Sequence, residues 1–528
     1  MSETTQVIVI GSGFGGSVSA SRIAEAGFKV KLLERGPWRD SVPVRSMGVQ
    51  ERAPYPSGRH YFTSLVRTLR NGKLPSGRLT LNKRGLFEIL MGKGLNVVCS
   101  SSVGGGSQIY NGINVRPAVD DYWDGVCDGL SNDMMDAHYD NVIERMGAST
   151  PTSEQIPHSI SERFKDSDLI ASDPSVDQIQ LGYLFPQKPG SPQEVVNEDG
   201  VARREFTYGS DANLGSPLGG KTTLDFAFLA RAMKHGLDVL DLREALSIRP
   251  VESGMPARYK VTVENHHTGA FEEHYADRVI VAAGTLNTLH LLLRSRDADG
   301  GLHGMARLGH RFGGNGDFFG YWDLEDTSRD LTKGLAVHGW IRPQEGSGLG
   351  GNRRWPTIIG IPLPNPDNLP LPAWFKRKFR HGQVLGGMGP DAQDGVVTAE
   401  KGKLKIDYEP DNSDIFEDIK DSMDSVSDAT RKKVYYFQRP TTVHPMGGAC
   451  VAANIREGVV DCNGEVFDHA GLYVADAAAL PKPPGTAPSM TIAAWADHVA
   501  ERLIEQLKAE ATKRRATVSR RKRKARAD

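Results

Sequence analysis

An α/β fold built on a Rossmann-type nucleotide-binding unit, with a separate layer set into it, is predicted for this 528-residue chain by three observations. A β-branched run from Val7 to Ile10 leads straight into Gly11-Ser12-Gly13-Phe14-Gly15-Gly16. Small and apolar residues then recur with helical spacing and give way to a second short strand closed by Glu34. Far downstream, residues 311 to 440 are rich in Gly, Pro and aromatics and show no strand-helix alternation.

Val7 to Ile10 reads as a buried parallel strand. Ser17 to Ala26 is the helix, Gly27 stops it, and Lys29 to Leu33 is the second strand, which completes one βαβ unit. The next stretch, to about residue 89, contains Pro43, Pro54, Pro56 and Pro75 and many arginines without a sustained period, and is expected to be an excursion from the unit. Regular structure resumes at Asn96-Val97-Val98. A helix end is expected at Ala230 to Gly236, a strand at Asp238-Val239-Leu240, an alternating antiparallel strand at Tyr259 to Glu264, and a buried strand at Arg278 to Ala283 entering a turn at Gly284. Trp322, Trp340, Trp355 and Trp374 belong to the Gly/Pro-rich layer, which is expected to hold its own pocket.

Composition removes several classes. With 39% hydrophobic and 24% charged residues the chain is of ordinary globular type. Its apolar runs, such as Val279 to Ala283, fall far short of the ~20 residues of a membrane-spanning helix. The N-terminus lacks the basic region and cleavage site of a secretory signal, so a cytoplasmic protein is expected. Cys99, Cys127, Cys450 and Cys462 are too widely spaced for a metal knuckle or a disulfide scaffold. Net charge is -1, yet residues 513–528 carry nine Lys and Arg against one acid. This tail is expected to be disordered; its run Arg520 to Lys524 is either simply solvated or able to bind nucleic acid or, weakly, an anionic surface, and it points to no firm nucleic-acid partner.

The glycine loop gains specificity from its context, because it follows a strand, opens a helix and is followed 18 residues after Gly16 by an acid at the end of the next strand. Gly11 permits the tight turn, Gly13 lets backbone approach a pyrophosphate, Gly16 lets helix and strand pack, and the helix N-terminus offers N–H groups. Glu34 is placed to accept hydrogen bonds from a ribose. From this motif alone FAD and NAD stay open. A second glycine cluster, Val103 to Ser107, is either a close-approach loop or merely a flexible one. Toward the C-terminus come Thr442-Val443-His444-Pro445-Met446-Gly447-Gly448, then Gly471 to Asp476, then Ala487-Pro488-Ser489-Met490-Thr491-Ile492.

Together with Gly220-Lys221-Thr222-Thr223-Leu224 and Val281 to Thr288, these blocks resemble the glucose-methanol-choline (GMC) oxidoreductases, and their bacterial cholesterol-oxidase-like branch in particular. The resemblance runs from residue 6 to about residue 507 and is loose over 311–439. It implies a Rossmann-type FAD-binding domain (1–45, 90–120, 215–310 and 440–512) with an interleaved α+β substrate-binding domain (46–89, 121–214 and 311–439). It also implies FAD, with Gly11, Gly13 and Gly16 at the pyrophosphate, Glu34 at the adenosine ribose, Gly105, Gly106 and Ser107 on the flavin side, the backbone of Ala245 at the adenine, and Asp476 near the ribityl chain. Phe14, Gly15, Ala477, Pro488, Ser489 and Met490 complete the implied cofactor contacts, with the helix from Ser489 pointing its N-terminus at the flavin edge where negative charge collects on reduction. No His lies between Ser107 and Asn114, where some relatives attach flavin, so non-covalent FAD is expected.

His444 is the implied acid/base, taking or orienting a hydroxyl proton while hydride leaves a CH–OH carbon for flavin N5. Family members carry Asn or His where this chain has Ala487, and an alanine methyl cannot hydrogen-bond an alkoxide. Cholesterol oxidases also use a pocket glutamate for isomerisation, and no Glu lies between Glu345 and Glu400 to match it. Asn315 in Gly313 to Asp317, with Phe318, Phe319, Tyr321 and Trp322, resembles the entry to the substrate domain and suggests an apolar pocket, though core packing explains the aromatics equally. The expected activity is oxidation of a small hydrophobic, sterol-like alcohol with oxygen or another electron acceptor. Ala487 favours an alternative, desaturation or isomerisation in specialised metabolism, and a non-catalytic flavin-binding role is the third reading.

Overall fold

The structure, a computed structural model, describes the whole chain except residues 1–3, 59–60, 157–160, 165–166, 189, 210–213, 253, 345–355, 364–365 and 525–528. Trp355 and Glu345 therefore lie outside the described residues, as do the last four residues of the tail.

Strand β1 (Thr4–Ile10) enters helix α1 (Phe14–Glu25) through the glycine loop, and strand β2 (Val30–Leu33) returns parallel beside β1. The run in β1 needs no polar face because the sheet is covered on both sides: Val7, Ile8 and Val9 are all fully buried. The sheet is completed by Asp238–Leu240 outside β2 and by Phe271–Val281 on the other flank of β1, both parallel to their neighbours. Phe271–Val281 is long enough to serve two partners along one edge. Its first half pairs with Tyr259–Asn265 in a meander that ends at Arg243–Pro250, and its last residues pair in parallel with Leu472–Val474. One face is covered by α1 and the helix Ser489–Lys524, joined by a hydrogen bond from Ser19 Oγ to the Ala496 carbonyl (3.3 Å) and by the Arg22–Asp497 ion pair (3.1 Å). Helix Thr285–Arg296 packs against Arg243–Pro250, where Ser295 Oγ accepts from the Ile248 N–H at 2.9 Å.

A second, antiparallel sheet has six strands in the order Val434–Tyr436, Phe318–Trp322, Gln383–Met388, Thr357–Ile361, Gly339–Pro343 and Leu169–Ser172. A third sheet orders Thr441–Thr442, Asn96–Ser100, Phe87–Met91, Val66–Arg70 and Arg78–Thr80.

Four expectations need correction. The stretch before residue 89 is not without regular structure, because Val66–Arg70 and Phe87–Met91 are paired strands, and Arg78–Thr80 adds a third beside them. The boundary between 89 and 90 cuts through the strand Phe87–Met91, which is bonded to a strand of each expected domain, Val66–Arg70 on one side and Asn96–Ser100 on the other. Helix Asn132–Arg145, assigned to the substrate side, packs on Ser489–Lys524 instead, with His138 Nδ1 2.7 Å from Asp497. Finally, residues 513–524 continue the C-terminal helix. Between Ser489 and Asp528 there is no Gly or Pro, and Ala, Lys and Arg are good helix formers even where nothing packs against them.

Candidate active site

The three sheets meet at a cavity of about 460 Å³ that runs from the glycine loop to His444. At its entry Gly11 adopts φ +99°, and a Cβ there would fall 2.2 Å from the Ala282 carbonyl oxygen, so only glycine makes this turn. Gly13 caps α1 without any side-chain hydrogen bond to the helix N-terminus, and a Cβ on it would meet no protein atom within 4 Å. The open ground in front of those N–H groups is thus left for a ligand. Ser12 knits the loop together: its N–H and hydroxyl donate to one carboxylate oxygen of Glu34 at 2.9 and 2.6 Å, and its Oγ accepts from the Gly104 N–H at 3.1 Å. The other Glu34 oxygen accepts from the Gly36 N–H at 2.7 Å, which leaves that oxygen a second lone pair.

Asp476 sits where the strand Leu472–Val474 ends. Its carboxylate accepts from the Gly284 N–H (2.8 Å), the Thr288 hydroxyl (2.5 Å) and the Ala478 N–H (3.0 Å), joining two strand ends and a helix start. Burial pushes this carboxyl up to about 6 against those hydrogen bonds, which favour the charged form. Beside the glycine loop the walls are charged. Arg35 and Arg70 both pair with the buried Glu88, and although burial alone would raise that carboxyl, the two guanidinium groups hold it at about 2. Ala245 stands beside a register shift in the ladder of Arg243–Pro250 with its neighbour, a bulge that leaves backbone groups out of the sheet.

At the opposite end, His444 is fixed from below. Its Nδ1 lies 2.9 Å from Asp317 Oδ1. The other oxygen, Oδ2, accepts from the Thr442 hydroxyl (2.8 Å), the Val443 N–H (2.9 Å) and the His444 N–H (3.1 Å). A carboxylate only accepts, so the Nδ1 proton is held there and Nε2 carries the free lone pair. Asp317 is buried while the imidazole remains partly open to the cavity.

Beyond His444 the lining is apolar: Phe319, Ile359, Ile361, Pro362, Met388 and Ala487. Ala487 belongs to a buried hydrophobic cluster with Ile113, Ile359 and Met388, so its methyl continues a hydrocarbon wall. Asn315 holds the turn before it, donating to the Thr486 carbonyl at 2.9 Å and accepting from the Gly485 N–H at 3.1 Å.

Residues 403–496 match the profile of the GMC oxidoreductase family, and residues 9–38 match that of the NAD(P)-binding Rossmann-like domain. In these segments the chain is similar to the GMC oxidoreductases. Among its relatives, a cholesterol oxidase of Mycobacterium tuberculosis is 25% identical over 558 aligned residues, covering 94% of this chain and 90% of the relative. A cholesterol oxidase of Acinetobacter baumannii is 24% identical, covering 93% and 92%. In fold the chain is similar to formate oxidase of Aspergillus oryzae, with a TM-score of 0.59, 15% identity and coverage of 96% and 100%.

The protein is an FAD-dependent oxidoreductase. The cradle fits that cofactor, because the uncapped start of α1, the vacant face of Gly13 and the acceptor on Glu34 succeed one another along the cavity. Of the residues expected from sequence, Gly11, Gly13, Phe14, Gly15, Glu34, Gly105, Gly106, Ala245, His444, Asp476, Ala477, Ala487, Pro488 and Ser489 all line it. Gly16, Ser107 and Met490 do not. A Cβ on Gly16 would strike the Gly11 carbonyl at 1.8 Å, so that glycine serves the packing of the loop. The Ser107 hydroxyl is used internally, donating to the Gly104 carbonyl (2.7 Å) and accepting from the Leu224 N–H (3.0 Å), and Met490 is fully buried in the core.

Lys221 of the Gly-Lys-Thr-Thr block is likewise structural, its ammonium donating to the Gln108 and Tyr110 carbonyls at 3.1 and 2.8 Å. Sequence reasoning missed Asp317, Arg35, Arg70 and Glu88. Only Asp317 left a trace, an acid closing a glycine-rich turn before an aromatic strand; Arg70 and Glu88 meet because their strands pair within one sheet, and Arg35 reaches Glu88 from the end of β2 in another.

Proposed function

We propose that this FAD-dependent oxidoreductase oxidises a CH–OH group on an apolar substrate, with His444 as the active-site acid/base. The observation that carries this reading is the His444–Asp317 pair at 2.9 Å, set at the boundary between the polar cradle and the hydrocarbon wall. Bound FAD would supply the two-electron acceptor for the hydride that leaves the substrate carbon. The chain's own residues do the rest. Gly11, Gly13, Glu34, Ala245 and Asp476 hold the cofactor. Nε2 of His444 accepts the hydroxyl proton, and Asp317 stabilises the imidazolium that results. Phe319, Ile359, Ile361 and Met388 exclude water and orient an apolar body. The names of the M. tuberculosis and A. baumannii relatives are compatible with a sterol-like substrate.

Ala487 favours a second reading. Its place among Ile113, Ile359 and Met388 offers carbon where alcohol oxidation is helped by a second polar group, which suits desaturation or isomerisation of an apolar substrate. Anaerobic mixing with a panel of hydrophobic alcohols, ketones and sterols tests the first reading: a matching alcohol bleaches the flavin, and His444→Ala slows that bleaching roughly 10²- to 10⁴-fold with FAD still bound. Bleaching by no alcohol, or loss of FAD on substitution, would count against it.

A further inference from the structure

Helix Ala373–Arg380 buries none of its side chains, although three of its eight residues are aromatic and four are Lys or Arg. Its rings stack outward from the protein. Phe379 packs edge-on to Tyr321 with centroids 5.5 Å apart, Phe375 on Phe379 at 5.0 Å, and Trp374 on Phe375 at 5.1 Å, leaving Trp374 60% exposed. The aromatic surface continues along the edge strand Val434–Tyr436, whose Tyr435 is registered against Tyr321, and ends at Phe437, 55% exposed. Charge is segregated onto the same surface. Segments 366–381 and 432–439 together hold seven Lys and Arg against one acid, Asp367, in a chain whose net charge is -1. Lys378 pairs with Asp323 at 2.6 Å and Arg380 with Asp367 at 2.5 Å, while Arg377 is exposed.

This surface borders the cavity. The helix lies in the connection between Thr357–Ile361 and Gln383–Met388, two neighbouring strands whose Ile359, Ile361 and Met388 line the apolar end. Phe437 donates its N–H to the carbonyl of the lining residue Phe319 at 3.0 Å. Val443, which also lines the cavity, is 40% exposed and marks where it reaches solvent. Aromatic rings gathered with cationic side chains on a short surface helix have the composition that lies in the headgroup layer of a bilayer, the rings among the acyl boundary and the cations at the phosphates.

We propose that helix Ala373–Arg380 and the adjoining edge at 435–437 form a docking face for an anionic lipid bilayer, which brings the apolar mouth of the cavity against the membrane. The docking gives an apolar substrate a water-free route into the site, and in that respect it rests on the function proposed above; the binding itself is measured without any substrate. The holoenzyme is sedimented with vesicles of phosphatidylcholine alone and with vesicles containing about one third phosphatidylserine. It should bind the second far better than the first. Arg377→Glu, a change of two charges, should weaken that binding roughly 25-fold, at roughly fivefold per charge near such a surface. Trp374→Ala should weaken it about tenfold or more, with flavin spectrum and thermal unfolding unchanged in both variants. No binding by the wild type overturns the proposal. So does binding that survives both substitutions and disappears on deletion of 513–528, which assigns lipid contact to the C-terminal helix. A lipid-independent dimer that Trp374→Ala dissociates assigns the face to a second copy instead. A flavin that no alcohol reduces would defeat the proposed function and leave the vesicle result standing.

Discussion

Asp317 shows how one carboxylate decides a neighbour's chemistry. Three donors, the Thr442 hydroxyl and the N–H groups of Val443 and His444, converge on Oδ2 and therefore fix which end of an amide would be oxygen. Asp317→Asn should thus turn its NH₂ toward His444 Nδ1, make that nitrogen the acceptor and leave the proton on Nε2. Stopped-flow flavin reduction is expected to fall about 10²-fold or more with FAD retained; an unchanged rate would separate Asp317 from the reaction. The position 487 carries a second test. If the substrate presents an alcohol, Ala487→Asn should raise the rate, since one donor to a developing oxyanion is worth up to about 2.7 to 4 kcal/mol. If it presents carbon, the same amide is left unpaired at about 1 to 3 kcal/mol and the native reaction slows. At this scale the sequence was legible where a motif carries its own geometry, as at Gly11, Gly13 and His444. It was silent on Glu88, Arg70 and Arg35, which no spacing links, and misleading on Ser107, whose hydroxyl is consumed by Gly104 and Leu224.

Among the elements, β1, α1 and β2 follow directly from a β-branched run, a small-residue period and two glycine stops. Short strands such as Arg78–Thr80, with one half-buried residue and two exposed ones, carry no such pattern, because their register is set by partners distant in sequence. The C-terminal helix is the instructive case. Charge density pointed to disorder beyond residue 512, whereas backbone propensity carries the helix to Lys524. Among the described residues its last anchors to the body lie earlier, Tyr473 to Gln506 at 2.9 Å and Arg278 to Glu510 at 2.5 Å. Deleting 513–528 should therefore leave flavin content and melting temperature as they are. A loss of cofactor or a lowered melting temperature, read by absorbance and calorimetry, would show that the last turns are packed.

Taken whole, the molecule holds buried acids at the seams between its sheets, and these give it a pH dependence. Asp391 accepts from the Gly314 N–H (2.7 Å) and the Tyr408 hydroxyl (2.8 Å), and burial pushes its carboxyl up to about 6, helped by the nearby charge of Asp317. A raised folded-state value favours the neutral form, so the contribution to stability is complete below the ordinary carboxylate range near 3.8 and is lost as pH rises through about 6. Asp391→Asn stays neutral throughout. Its unfolding free energy relative to wild type should move in its favour by up to ~3 kcal/mol between pH 4 and about pH 7, from urea titrations at each pH. A gap that does not change with pH would remove Asp391 from this account.

Helix α1 opens with the cofactor loop, yet the surface that covers it, Ala496 and Asp497 among others, arrives near the end of the chain. During synthesis at about 5–20 residues per second, the loop waits roughly half a minute to a minute and a half before its covering helix is made. Until then Ser19 and Arg22 lack the partners, Ala496 and Asp497, that they hold in the finished molecule. The nascent chain therefore carries an incomplete nucleotide cradle for that interval, and stable cofactor capture is expected only once the covering helix has been made.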